Sequence, residues 1–314
     1  MKRIGYLLES IAFIGNLYLA WCKAKKAKSA KPAVIEFGNR LDENIKQIRQ
    51  GILNNSIMVG DYNYFTIHDP KTRVICAAAF TERVLHHAIM NICHPVFERH
   101  MIFDTYATRR GKGTYAAIYR AKYFLQKYRW HAKLDVRKYF DSIDHTILMT
   151  QLNKLFKDQH LLDLFSRIIR SYSTDEGKGL PIGNLTSQYF ANHYLSAADH
   201  MACRQLKVPG YIRYMDDMVI FENDLKSLKA KQINFGHRNS GLPYLGYVIF
   251  PNYILLNHRS KTRFKAKLVN CLKQLEEGNW SEKKFQEHTL PLFAFLNHAH
   301  TMNLRKSLIL NPNG

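Results

Sequence analysis

The sequence predicts an α+β fold built round an antiparallel sheet, and three stretches carry that expectation. The first is Gly210-Tyr211-Ile212-Arg213-Tyr214-Met215-Asp216-Asp217-Met218-Val219-Ile220-Phe221. Aromatic and β-branched residues flank two adjacent carboxylates there, a pattern of two short strands with Met215, Asp216 and Asp217 at the turn. The second is Lys133-Leu134-Asp135-Val136-Arg137-Lys138-Tyr139-Phe140-Asp141-Ser142-Ile143-Asp144-His145. Asp135 follows a strand-like run, and Asp144 stands as N-cap to the helical period Ile147, Leu148, Leu152, Leu155. The third is Gly179-Leu180-Pro181-Ile182-Gly183-Asn184-Leu185-Thr186-Ser187-Gln188, a loop leading into an apolar helix that Asn184, Thr186 or Ser187 is placed to cap.

Two like charges held close raise each other's pKa unless a cation neutralises them. Oxygen-only ligation suits Mg²⁺. The bland alternative for Asp216-Asp217 is a solvated turn; the apolar walls and the second acidic segment weigh against it. An acid at a strand end facing an acidic hairpin is what two-metal phosphoryl transfer requires, with the ions about 3.5–4 Å apart. Asp144 already serves the helix, which leaves Asp135 for that work. The glycine loop is no Walker sequence, and its weight comes from its place between the two acidic segments.

In chain order, 314 residues suffice for one large domain or two to three subdomains. The net charge of +21 calls for a polyanionic partner. A membrane surface competes with nucleic acid, but Tyr, Phe and His recur between the basic residues, which suits backbone contact with base stacking. Residues 4–21 show helical spacing. The alternative, a signal or membrane anchor, is opposed by Glu9, Ser10 and Asn16, which interrupt a run well short of the ~20 residues needed to span. The basic run Lys23 to Lys31 follows, read either as a solvated face or as RNA-backbone contact, and a second helix is expected over 33–54. Tyr62 to Ala77 reads as strands round the turn Asp69-Pro70-Lys71-Thr72, with Lys71 and Arg73 within reach of a triphosphate or simply on a basic hairpin. Phe80 to Phe97 is expected to be a helix closed by Pro95. Tyr106 to Thr114 sets Arg109, Arg110 and Lys112 round two glycines before a helix from about Tyr115, either a phosphate-backbone seat or a basic loop. Leu242 to Phe250 reads as one strand, and an amphipathic basic helix follows Pro251. The five cysteines are scattered and never spaced as CxxC, which argues against a disulfide scaffold or a zinc site and fits a reduced cytoplasmic setting. His86, His87, His94, His298 and His300 have no cysteine or acid at ligand spacing, so surface or nucleic-acid-facing imidazole is expected.

From roughly Phe37 to Leu304 the ordered set resembles the reverse transcriptases, most closely those of diversity-generating retroelements. Tyr214-Met215-Asp216-Asp217 is similar to their catalytic motif, and Ile182-Gly183-Asn184-Leu185-Thr186-Ser187-Gln188 to their form of the nucleotide-pocket motif. The resemblance implies a right-hand polymerase fold, with fingers, a palm with an antiparallel sheet and a short helical thumb. Residues 1–60 would form an N-terminal helical extension, 61–250 fingers and palm, and 251–314 the thumb. Asp135, Asp216 and Asp217 would be catalytic and, with the Val136 carbonyl, would hold two Mg²⁺ ions. Lys71 and Arg73 would lie over the incoming nucleotide, with Ile182, Gly183 and Gln188 in its pocket. Phe140 would sit under the sugar, excluding a 2′-hydroxyl; on periodicity alone it is equally a core aromatic. Arg109, Arg110, Lys112, Arg259, Lys261 and Arg263 would hold nucleic acid.

The implied activity is RNA-directed DNA polymerisation on a dedicated RNA template. Ile182, standing where other relatives carry Gln, implies errors at template adenines. The implied partners are template RNA, the cDNA/RNA hybrid, dNTPs and an oligomeric accessory protein, with no membrane. The runner-up is a defence-associated or retron-like reverse transcriptase copying a noncoding RNA; the rival from another class is a catalytically weakened RNA-binding or maturase-like protein. One departure stands out. Only Glu222 to Gly241 separates the hairpin from the next strand, where relatives fit a longer helix and strand ending in a lysine, a role open here to Lys229 or Lys231.

Overall fold

The computed structural model describes residues 2–68, 72–226 and 235–310. Lys71, Lys229 and Lys231 therefore lie outside the described residues. The chain divides into two compact units, Met1–Phe103 with Val136–Met201, and Asp104–Asp135 with Ala202–Gly314. The first unit begins with helices α1 (Leu8–Ile11), α2 (Ile14–Ala24), α3 (Pro32–Asn39) and α4 (Leu41–Leu53), then strands β1 (Tyr62–Ile67) and β2 (Arg73–Ala78) and helix α5 (Phe80–His100). The second unit next supplies α6 (Thr114–Lys127) and β3 (Trp130–Leu134). The chain returns to the first for α7 (His145–Asn153), α8 (Gln159–Arg170), α9 (Leu185–Tyr194) and α10 (Ser196–His200). It finishes in the second with β4 (Gly210–Tyr214), β5 (Asp217–Glu222), β6 (Phe235–His237), β7 (Leu242–Tyr244), β8 (Tyr247–Ile249), β9 (Ile254–Leu256), α11 (His258–Glu276), α12 (Glu282–Leu296) and α13 (Met302–Leu310).

In the first unit the expected helix over 4–21 is divided. Phe13 takes an extended conformation (ψ 130°) between α1 and α2. Asn16, read as a polar interruption, is buried instead, and its amide donates to the Ile11 and Ala88 carbonyls at 2.9 and 3.1 Å. The helix expected over 33–54 likewise breaks at Arg40 (φ −124°, ψ 41°). Helix α5 runs through Pro95 to His100 rather than ending there. Proline withdraws a single N–H, and burial of Val96 and Phe97 outweighs that loss. His86 and His94 lie in this helix's buried face, not on the surface. His86 Nε2 is 3.3 Å from Glu82 Oε1, and His94 Nδ1 is 2.9 Å from the Tyr189 hydroxyl. The core here is aromatic, with Phe156 edge-on to both Phe97 and Phe165 and Phe165 edge-on to Phe190. Asp144 caps α7 as expected, its Oδ1 accepting from the Ile147 N–H at 2.9 Å.

In the second unit β4, β5, β3 and β6 form one antiparallel sheet in that order. Helix α6 lays Ala117, Ile118, Ala121 and Leu125 into a core shared with Ile212, Val219 and Phe221. The stretch expected as one strand over Leu242 to Phe250 is a hairpin. Leu245 and Gly246 both take positive φ (49° and 89°), reversing the chain between β7 and β8. Two successive left-handed residues are what a two-residue hairpin demands, and alternation of buried side chains alone does not reveal it. Helix α11 starts at Asn257, whose Oδ1 accepts from the Ser260 N–H at 2.7 Å, and buries Phe264 and Leu268 with Leu296 of α12.

Candidate active site

The acidic hairpin is the join of β4 and β5, closed by the pair Tyr214↔Asp217 with Met215 and Asp216 at its tip. Met215 sits in the left-handed region at φ 56°, which is uncommon for a residue with a side chain. A fully buried arginine holds the tip. Arg213, 0 % exposed, donates from Nη1 to the Met215 carbonyl at 2.9 Å. Its own backbone is braced on the far side, with its N–H donating to the Asp104 carbonyl and its carbonyl accepting from the Tyr106 N–H, both at 2.9 Å.

Strand β3 lies on the other side of β5, with Lys133↔Val219 and Leu134↔Met218 in register. Asp135 is the first residue after β3, at the same end of the sheet as the tip. Asp135 is exposed, while Asp216 and Asp217 are half-buried. Lys133 projects to the same face as Asp135, two residues on. Its Nζ reaches diagonally to Asp217 Oδ1 at 2.7 Å. Among the described residues no cluster of three or more His, Cys, Asp and Glu side chains is gathered to hold a metal. The side chains expected to bind metal, Asp135, Asp216 and Asp217, are nonetheless all carboxylates, the chemistry that suits Mg²⁺, and the Lys133 ammonium sits on one of them. Beneath it Tyr244 is buried, with a hydroxyl that has no hydrogen-bond partner. Burial first, and then the charge of Asp217, push that hydroxyl well above its ordinary pKa and keep it protonated.

The basic loop before α6 is braced as well as charged. Arg109 Nη1 donates to the Thr105 carbonyl at 3.0 Å and to its hydroxyl at 2.7 Å, and the Lys112 ammonium lies 4.8 Å from the Tyr106 ring centre. Arg110 is exposed. Arg120 grips Asp104 with two bonds, at 2.9 and 3.0 Å. On α11, Arg259 and Arg263 are four residues apart and share a face, whereas Lys261 between them points elsewhere.

The remaining candidates belong to the first unit. Arg73 opens β2 and is exposed. The Ile182 carbonyl accepts from the Cys76 N–H of β2 at 2.8 Å, fastening the glycine loop to that strand. Phe140 is half-buried, and its carbonyl accepts from the Leu180 N–H at 2.9 Å, so the same loop runs beside residues 140–143. Val136 is half-buried and Gln188 exposed on α9. Gly183 has φ +122°, and a Cβ there would stand 2.9 Å from Ile75 Cγ2 and 3.2 Å from the Cys76 carbonyl oxygen. Gly183→Ala is therefore expected to lower stability by about 1–2 kcal/mol, the penalty for a left-handed side-chain residue. Urea unfolding measures it, and a loss below about 0.5 kcal/mol, within the range of neutral surface changes, would show that the loop adapts.

Sequence reasoning passed over Lys133 and Arg213. The period of two from Asp135 marks Lys133 as its neighbour. Arg213 had no comparable signal, because the whole of β4 is apolar to either side.

A model of the family described as reverse transcriptase (RNA-dependent DNA polymerase) matches residues 67–238. The group II intron-encoded protein LtrA of Lactococcus lactis subsp. cremoris is 23 % identical over 270 residues, covering 78 % of this chain and 44 % of that protein. Protein YkfC of Escherichia coli K12 is 24 % identical over 166 residues, covering 47 % of this chain and 44 % of its own length. Among solved structures, apo telomerase from Candida tropicalis aligns with a TM-score of 0.47 at 10 % identity, over 65 % of this chain and 49 % of that one. The chain spans less than half the length of these relatives. With more than half of its residues matched, acidic hairpin included, the chain belongs to the reverse transcriptase (RNA-dependent DNA polymerase) family.

Proposed function

We propose that the chain is an RNA-directed DNA polymerase of the diversity-generating retroelement type, copying a dedicated RNA into cDNA with frequent errors at template adenines. The observation that supports it most is that β3 pairs with β5 up to Leu134↔Met218, so that Asp135 follows directly at the end of the sheet where Asp216 and Asp217 form the hairpin tip. Asp135, Asp216 and Asp217, with the neighbouring Val136 carbonyl, would hold two Mg²⁺ ions, whose chemistry is to activate a 3′-hydroxyl and neutralise a triphosphate. Arg213 holds the tip that presents Asp216. Lys133 occupies Asp217 until a stronger cation displaces it. We assign Arg73 to the triphosphate, where a guanidinium's planar fork matches phosphate oxygens. Lys71, Gly183 and Gln188 are assigned to the same nucleotide pocket. Phe140 is assigned to the sugar, where its ring excludes a 2′-hydroxyl, and Ile182 to the pairing step, where an aliphatic side chain offers no hydrogen bond. Arg109, Arg110 and Lys112, with Arg259, Lys261 and Arg263, are assigned to the backbone of template and hybrid. In this reading 1–60 is the helical extension, 61–250 fingers and palm, and 251–314 the thumb, and an oligomeric accessory protein completes the assembly. No helix among the described residues is long and apolar enough to cross a membrane.

The test is primer extension on a defined RNA with dNTPs and Mg²⁺, followed by sequencing of the cDNA. Extension is expected, with misincorporation more frequent opposite adenine than opposite any other base. Absence of extension sinks the polymerase reading, and equal error rates sink the retroelement subtype alone. The similarity to an intron-encoded protein over 78 % of this chain is compatible with a second reading, a catalytically weakened RNA-binding or maturase-like protein. Binding without extension is the result that selects it.

A further inference from the structure

Two groups beside the acidic hairpin, one charged and one buried, have no part in holding a metal themselves. The charged one is Lys133. It stands opposite Val219 in the β3–β5 register, so Asp217, two residues from Val219, is its diagonal neighbour on the same face. A long side chain spans that diagonal, and Lys133 Nζ lies 2.7 Å from Asp217 Oδ1. Both side chains stay partly open to water, 38 % and 29 % exposed. An ion pair so placed is screened and holds weakly. It orients the carboxylate without fixing it, and a divalent ion attracts the same oxygen with twice the charge.

The buried group is Tyr244 of β7. It is 1 % exposed, and its hydroxyl has no hydrogen-bond partner among the described residues. Leaving a buried hydroxyl unbonded is costly, so the group marks an acceptor that stands elsewhere. After burial, the charge of Asp217 is the largest influence on this hydroxyl. Among the other groups whose charge reaches it, Arg213 has no acceptor, and the Tyr106 hydroxyl is bonded to Asp104 at 2.9 Å. The acceptor that Tyr244 lacks is therefore at hand in Asp217, whose carboxylate is engaged with Lys133.

We propose that Asp217 is a two-position switch: Lys133 holds its carboxylate in one position until a divalent cation takes the ammonium's place, and the Tyr244 hydroxyl steadies it in the other. Lys133 thereby sets the cation concentration at which the site fills. Both are positioning residues, acting through Asp217. The switch rests on the metal-binding part of the polymerase reading and not on the copying of RNA.

The experiment measures Mn²⁺ binding to the full chain, free of nucleic acid and nucleotide, from the loss of the aqueous Mn²⁺ paramagnetic resonance signal. Lys133→Met keeps the length of the side chain and removes its charge. It is expected to lower the Mn²⁺ Kd about tenfold, while Lys133→Arg, which keeps the charge, stays within about twofold of the wild type. Tyr244→Phe is expected to raise the Kd about threefold, the size of one lost hydrogen bond. The opposite signs separate the switch from damage to the fold, which would weaken binding in both variants. In an Asp217→Asn background Lys133→Met is expected to change nothing, because no carboxylate remains for the ammonium to hold.

A Kd that Lys133→Met leaves at the wild-type value overturns the gate. An equal shift in both backgrounds also overturns it, since repulsion from a nearby ammonium then explains the effect without Asp217. Wild-type binding in Tyr244→Phe overturns the second position. Primer extension is read separately, as the Mg²⁺ concentration giving half the maximal rate. A wild type that never extends, but whose Kd falls on Lys133→Met only where Asp217 is present, keeps the gate and loses the polymerase. A wild type that binds no Mn²⁺ overturns the gate whether or not it extends.

Discussion

Asp216→Asn is expected to abolish Mg²⁺-dependent primer extension while leaving the affinity for single-stranded RNA within about twofold, well under the 1.4 kcal/mol that a tenfold change represents. Asparagine keeps the size and turn-forming habit of aspartate and removes only the charge. The tip where Asp216 sits is held by the Tyr214↔Asp217 pair and by the Arg213 bond to the Met215 carbonyl, both of which asparagine leaves in place. Electrostatic stabilisation at a metal centre is worth several kcal/mol, and each ~1.4 kcal/mol is a factor of ten in rate. The loss in rate is therefore expected to reach about a thousandfold or more. Extension within tenfold of the wild type would remove Asp216 from the catalytic set. A parallel loss of RNA affinity would instead mark the change as structural.

Arg213→Met is expected to lower stability by about 2 kcal/mol, the range for a hydrogen bond from a charged donor. Methionine fills much of the same volume and leaves the Met215 carbonyl unbonded. Arg213→Lys is expected to rescue little, since a point charge on a flexible stem cannot reproduce a planar fork in a fully buried place. Extension should fall with both variants while RNA affinity holds, because the tip is held less firmly rather than removed. Trp130 on β3 lies in the same sheet, so its fluorescence in a urea titration reports the loss directly. A change in stability below about 0.5 kcal/mol, the size typical of a neutral surface substitution, would show that the left-handed Met215 holds without the arginine.

The two residues differ in how openly the sequence announces them. Asp216 is legible because its surroundings are legible. Strand-forming residues on both sides of an Asp-Asp pair have few solutions besides a hairpin with an acidic tip. Asp144 was equally open, since capping is a local bond between a side chain and an N–H three residues on. Asn184 shows the limit of such reasoning. It occupies a capping position by every local rule, yet its side chain turns to Ala78, far away in the chain, and leaves the helix start uncovered. Pro95 and Asn16 misled in the same way, because burial against distant segments outweighed a local preference.

By itself the sequence determined the α+β class, the acidic hairpin, the acid after β3 and the basic character of the whole chain. All of these follow from periodicity, turn chemistry and charge, which act over a few residues. Only the tertiary structure decided that Lys133 pairs with Asp217, that Arg213 is buried beneath the Met215 carbonyl, and that the Tyr244 hydroxyl is buried without a partner among the described residues. Those neighbours are set by register between strands and by packing between helices far apart in the chain. No spacing along the sequence encodes such distances.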